Sequence, residues 1–281
     1  MKTWKKIVLG VSLISLFLGG GLVAWGYSQG GLTDLQNQTK SEQDYVKKEV
    51  KNFNKIDIKS SSYNVLIKNG DVDKATLSYY QKTKNLIDIS VKDGQLTIND
   101  NNSELDSTSN KHINFFGLKD LVRLSTLNEE VRNKTIVITL PKKQTIDFLK
   151  VDLATGNLDL SNSTIKQADI NLNVGDLTFT KMIVSNLKAN LDVGSVDSDH
   201  TLFTNSDLSI AMGDYSGDNL IFNGHNKLDV TSGDIEIALS DYTLNVQADS
   251  HSGEVDITNN LKISKDNTLT ITSDLGDITV E

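Results

Sequence analysis

Seven glycines recur at nearly equal steps along the second half of this chain: Gly156, Gly175, Gly194, Gly213, Gly233, Gly253 and Gly276, at intervals of 19, 19, 19, 20, 20 and 23 residues. A fixed period near twenty marks a solenoid, in which each repeat buries its apolar face only against its neighbours. The residues around the glycines repeat in phase. Two positions after each stand Leu158, Leu177, Val196, Tyr215, Ile235, Val255 and Ile278, all apolar or aromatic. The next position is always polar, and the one after it is apolar in five of the seven copies. This alternation turns one face of a strand inward in every copy. Five positions before each glycine, Val151, Ile170, Ala189, Leu208, Leu228, Ala248 and Ile271 mark a second inward strand, and apolar patches at 182–184, 201–203 and 220–222 suggest a third. The expected fold is therefore all-β, a β-solenoid of about seven 19–20-residue coils over residues 151–281. The glycine serves as a corner because positive φ costs it nothing.

Upstream, from Phe53, the period of two persists without the glycine repeat. Ile56, Ile58, Val65 and Ile67 alternate, and Ile87, Ile89 and Val91 lead through Asp93-Gly94 to Leu96 and Ile98, which is a hairpin signal. Ile136, Ile138 and Leu140 form another strand, which Pro141 ends because proline has no backbone N–H to donate. This β-rich entry region and the regular repeats together make one domain, residues 51–281. Residues 112–133, which carry both arginines of the chain, break the pattern; Leu118, Leu121, Val122 and Val131 fit a helical stripe. We read this insertion as a cap over a solenoid end, with a docking element as its alternative.

The first thirty residues determine where such a domain works. Lys2, Lys5 and Lys6 precede an uncharged run from Ile7 to Tyr27, long enough to cross a bilayer at about 1.5 Å per residue, and the first charge after it is Asp34. That asymmetry predicts a cytoplasmic tail at 1–6, a single transmembrane anchor at 7–28, a polar spacer at 29–50 and an extracellular C-terminal domain. The alternative is secretion after cleavage of the same segment near Trp25.

Charge and chemistry exclude more than they assign. Residues 1–150 carry 22 Lys and Arg against 16 Asp and Glu, whereas residues 151–281 carry 6 against 21. So acidic a half disfavours nucleic acid and anionic headgroups as partners. The chain contains no cysteine, and its four histidines, His112, His200, His225 and His251, have no ligand spacing. No phosphate-cradling loop, nucleophile elbow or zinc-protease motif occurs, so the expectation is a protein that is not an enzyme and needs no cofactor. One cation site is worth stating. If coils stack in register, the residues after the glycines, from Asn157 through Asp214, Asp234 and Glu254 to Asp277, form a ladder in which Asp214, Asp234 and Glu254 could share calcium; the plainer reading of the same residues is a set of solvated turns.

The lysine-led apolar segment, "FNKIDIKSSSYNVLIKNGD", "VKDGQLTIND", "IVITLPKK" and the repeated "TSGDIEI", "HSGEVDI" and "LGDITV" resemble the bacterial "putative adhesin" β-strand-repeat family over about residues 50–281. Membrane-anchored members of the LiaG type belong to it. The resemblance implies a cell-envelope protein of Gram-positive bacteria with a part in stress responses, and it brings no catalytic residues. The function expected is a non-enzymatic, membrane-anchored interaction or scaffold surface with an envelope protein or wall component as partner. A calcium- or polycation-binding adhesin and a carbohydrate-active β-helix enzyme are the alternatives.

Overall fold

The computed structural model describes residues 43–82, 87–100 and 135–281, and among them every regular element is a strand. The entry region holds β1 (Gln43–Glu49), β2 (Lys55–Ser60), β3 (Asn64–Gly70), β4 (Thr76–Lys82), β5 (Asp88–Lys92), β6 (Gln95–Asn99), β7 (Thr135–Pro141) and β8 (Thr145–Ile146). The first three repeats supply three short strands per turn, and the last three supply two. The first turn is β9 (Phe148–Leu153), β10 (Leu158–Ser161) and β11 (Thr164–Ile165); the second is β12 (Ala168–Val174), β13 (Leu177–Thr180) and β14 (Ile183–Ser185); the third is β15 (Leu187–Val193), β16 (Val196–Asp199) and β17 (Leu202–Thr204). They continue as β18 (Asp207–Met212), β19 (Tyr215–Asn223), β20 (His225–Ser232), β21 (Ile235–Leu239), β22 (Asn245–Ser252), β23 (Val255–Ile257), β24 (Thr268–Leu275) and β25 (Ile278–Val280). The expected membrane segment, most of the spacer and the 112–133 insertion lie outside the described residues; Gln43–Glu49, assigned above to the spacer, is strand β1.

Stacking the turns generates three parallel faces. The strands before the corner glycine pair in register, Val151 with Ile170, Ala189 and Leu208 in succession. Those after it do the same, Leu158 with Leu177, Val196 and Tyr215. The third face is narrower and aligns Ile165, Val184, Phe203 and Phe222. Every one of these inward side chains is buried, and Phe203 packs edge-on to Phe179 and stacks on Phe222 at centroid distances of 5.3 and 5.7 Å. Because the period along each strand is two, this single core fixes which side chains face out.

The stacking order departs from the sequence order at both ends. β24 lies between β20 and β22, and β25 lies between β21 and β23. The last coil of the chain is thus inserted between the two that precede it in sequence, and the expectation of coils stacked in order is corrected here. At the other end, β2 and β3 are flanked by β6 and β7 on one side and by β9 and β10 on the other. Beyond them lie the antiparallel strands β5 and β4, with β1 outside β4 at the edge. The hairpin between β5 and β6 turns at Asp93 and Gly94, both at positive φ (50° and 74°), as the Asp-Gly signal requires.

Candidate functional site

The outward residues form rows whose chemistry differs from face to face. On the face before the glycine, register places Asp57, Lys150, Asp169, Lys188, Asp207 and Lys227 on successive rungs, an unbroken alternation of sign. Beside it Asn190 donates to Asn171, which donates to Asp152, each at 2.9 Å. Within it Lys150 and Lys227 form ion pairs with Asp152 and Asp229 of their own strands. Opposite charges directly across a parallel ladder attract.

The face after the glycine is different. Its central row reads Asp159, Thr178, Asp197, Ser216, Glu236, Thr279 and Asp256, so acid and hydroxyl alternate and no basic residue enters. At about 4.8 Å per rung, successive carboxylates in the row stand roughly 10 Å apart, each next to a hydroxyl. Burial raises the Asp159 carboxyl above the usual carboxylate range, the hydrogen bond from Thr178 opposes that rise, and the charge of Asp176 adds to it. A shallow cleft on this face is lined by Asp197, Asp214, Ser216, Asp234, Glu236 and Asp277.

The residues immediately after the glycines explain how so acidic an edge holds together. The Asn64 side chain accepts from the backbone N–H of Asn157, Asn157 from that of Asp176, and Asp176 from that of Ser195, at 2.9–3.0 Å. Ser195 continues the chain to Asp214, Asp214 to Asp234, Asp234 to Asp277, and Asp277 to Glu254. Each aspartate in this series is thus an acceptor for the next rung's turn amide, a charge-assisted hydrogen bond, and Glu254 ends it. The proposed ladder of Asp214, Asp234 and Glu254 changes with the coil order: Asp214 and Asp234 are neighbours, but Asp277 stands between Asp234 and Glu254. Among the described residues no group of three or more His, Asp or Glu side chains is placed to hold a metal ion.

The glycine corners show a requirement stronger than the turn. Gly156, Gly175, Gly194, Gly213, Gly233 and Gly276 have φ between 142° and 148°. A Cβ on Gly194 would stand 1.9 Å from the carbonyl oxygen of Gly175, and one on Gly175 would stand 2.1 Å from that of Gly156. The missing side chain is what lets one corner sit directly on the next. Two further corners use the left-handed region, mostly without glycine: Asn162, Lys181, His200 and Asn219 stack at one, Asn186 and Asn205 at the other with φ of 47–55°, and Gly224 follows Asn205 at φ 65°. The sequence reading missed these corners, for which the recurring asparagines were the available signal. His200 is exposed and lies 2.6 Å from Asp199, and His225 meets Thr268 at 3.0 Å. These histidines do not converge on a shared site.

Beside the glycine edge runs a short apolar row. Val174, Val193 and Met212 are register partners and are 48%, 43% and 59% exposed. Acidic residues flank it, Asp176 and Asp192 among them.

The family comparison follows this architecture. The Toastrack DUF4097 family matches residues 53–281, most of the chain and all of its regular repeats. The chain belongs to the Toastrack DUF4097 family. The adhesin-type resemblance drawn from its motifs therefore stands. Several solved structures resemble this Toastrack chain. One is a "putative cell adhesion protein" from Clostridium sporogenes, 15% identical, covering 85% of this chain and 99% of its own, with a TM-score of 0.31. Another is a "putative adhesin" from Bacteroides fragilis, 15% identical, covering 86% and 98%, with a TM-score of 0.36. A third, described as a "putative lipid binding protein" from Parabacteroides distasonis, is 10% identical, covers 86% and 98%, and has a TM-score of 0.36. No curated protein matches the chain.

Proposed function

We propose that this Toastrack protein is a non-enzymatic interaction surface of the bacterial cell envelope, held at the membrane by residues 7–28 with its solenoid outside the cell. The observation that carries the reading is the contrast between faces: one alternates lysine with aspartate from rung to rung, while the face after the glycine presents an acid and hydroxyl row with no basic residue in it. A surface repeated over many rungs suits an extended partner, such as a wall component or a strand of an envelope protein, better than a small substrate. The lysine-led apolar run supports the location, and the resemblance to membrane-anchored members of the LiaG type supports the Gram-positive, stress-linked setting.

Crosslinking and pull-down from intact cells tests this. Replacing Asp197 and Glu236 by Lys should reduce capture of envelope material at least several-fold without lowering the melting temperature; capture that is unchanged contradicts the assignment of this face. A deletion strain should also change its sensitivity to wall-targeting antibiotics, and indifference across a panel would remove the stress role.

The second reading is a calcium- or polycation-dependent adhesin, favoured by the consecutive carboxylates of Asp214, Asp234, Asp277 and Glu254 along one edge. It predicts a melting temperature that rises with calcium and falls with chelator, and flat melting under both conditions counts against calcium.

A further inference from the structure

The inserted last coil has a consequence for assembly. Residues 268–281 fill a gap bounded on both sides by rungs made earlier in the chain, and they fill it fully: Leu269, Ile271, Ile278 and Val280 are at most 1% exposed. The outer rung depends on this occupant, because among the described residues β22 pairs with β24 alone and β23 with β25 alone. Until residues 268–281 arrive, β20 and β21 present an open edge and residues 245–257 have no strand to pair with.

We propose that this gap accepts the C-terminal coil of a second copy of the chain, joining copies by reciprocal strand exchange. The second copy is the fitting partner because the complement to the gap is already seated in it: the same Leu269, Ile271, Ile278 and Val280, in the same register, are present in every copy. Exchange preserves each of those contacts, so its thermodynamic cost reduces to the connection and to association. The connection permits it. Residues 258–267 form a ten-residue link without proline or glycine, and Ile263 within it is 85% exposed. The link is tied to the stack by the Lys262 N–H donating to the Tyr242 carbonyl at 2.8 Å and by the Asn245 N–H donating to the Asn267 carbonyl at 3.0 Å. Extended, ten residues span about 35 Å, several times the rung spacing of about 4.8 Å. Unpaired edges of this kind are the usual acceptors for strand addition.

The chain has no cysteine, so introduced pairs report without background. Ser232 and Leu275 are register partners on β20 and β24, and adjacent strands stand within disulfide range. The full-length Ser232→Cys, Leu275→Cys variant would be incubated reduced, in detergent micelles, at high concentration just below its melting temperature. Dimer and monomer would be separated by gel filtration, oxidised, and run on a non-reducing denaturing gel. Exchange predicts a concentration-dependent dimer fraction that runs as a covalent dimer and a monomer fraction linked within one chain. The single variant Leu275→Cys should give no covalent dimer from the same fraction. The proposal is overturned by the absence of a dimer fraction, by a dimer that runs as monomers, or by equal crosslinking in the single variant. The pair Glu236→Cys, Thr279→Cys reads the same exchange from β21 and β25 should the first variant fail to fold.

Discussion

At the residue scale, the corner glycines carry the fold's strictest requirement. Gly194 combines φ of 147° with a carbonyl oxygen 1.9 Å from where a Cβ would lie. Gly194→Ala should destabilise the domain by about 2–4 kcal/mol in denaturant melts, since strain at such a φ alone costs 1–3 and a backbone clash is added. Gly253 meets a similar carbonyl, but it lies outside the positive-φ region expected of it and sits on the terminal rung, so Gly253→Ala should cost clearly less. Equal costs at the two sites would refute the stacking explanation. The glycine period was legible in the sequence, but the oxygen beneath each glycine was not, because it belongs to a residue about twenty positions away. Asp159 gives a pH test. Its carboxyl is raised mainly by burial, so the folded state holds the proton more tightly than the unfolded state does. Stability from this group is therefore greatest below the unfolded carboxylate pKa and is lost as pH rises toward the folded value. Asp159→Asn should raise the melting temperature at pH 7 and leave it unchanged at pH 3.

At the scale of the strand, inward alternation was readable from periodicity alone, as in Ile170 and Leu172 or Leu177 and Phe179, both pairs buried as expected. The outward rows were not readable in the same way, because each joins residues from different coils and emerges only with the register. Lys188 stands between Asp169 and Asp207 in the alternating row. Lys188→Glu places three acids on consecutive rungs and should cost about 0.5–1 kcal/mol at low salt, an effect that shrinks in 1 M salt as the screening length falls to about 3 Å. A salt-independent cost would place the cause in packing instead. The acid and hydroxyl row on the other face explains why the sequence's charge asymmetry does not tear the stack apart: its carboxylates are spaced by two rungs, and those at the edge accept backbone N–H groups.

For the whole molecule, the glycine period counts turns but does not say which turns touch. The only trace of the inserted coil in the sequence is the final interval of 23 residues in place of 19 or 20, a connection long enough to run past one rung and return. That insertion decides the order of the carboxylates at the edge, the dependence of the outer rung on the end of the chain, and the exchange proposed between copies. Disulfide trapping on the face before the glycine tests it most directly. Lys227 lies in register with Thr270, which lies in register with Gln247 on its other side. The inserted order predicts that Lys227→Cys, Thr270→Cys closes a disulfide within one chain and that Lys227→Cys, Gln247→Cys, two rungs apart, does not. The reverse result would show the coils stacked in sequence order and would contradict the account.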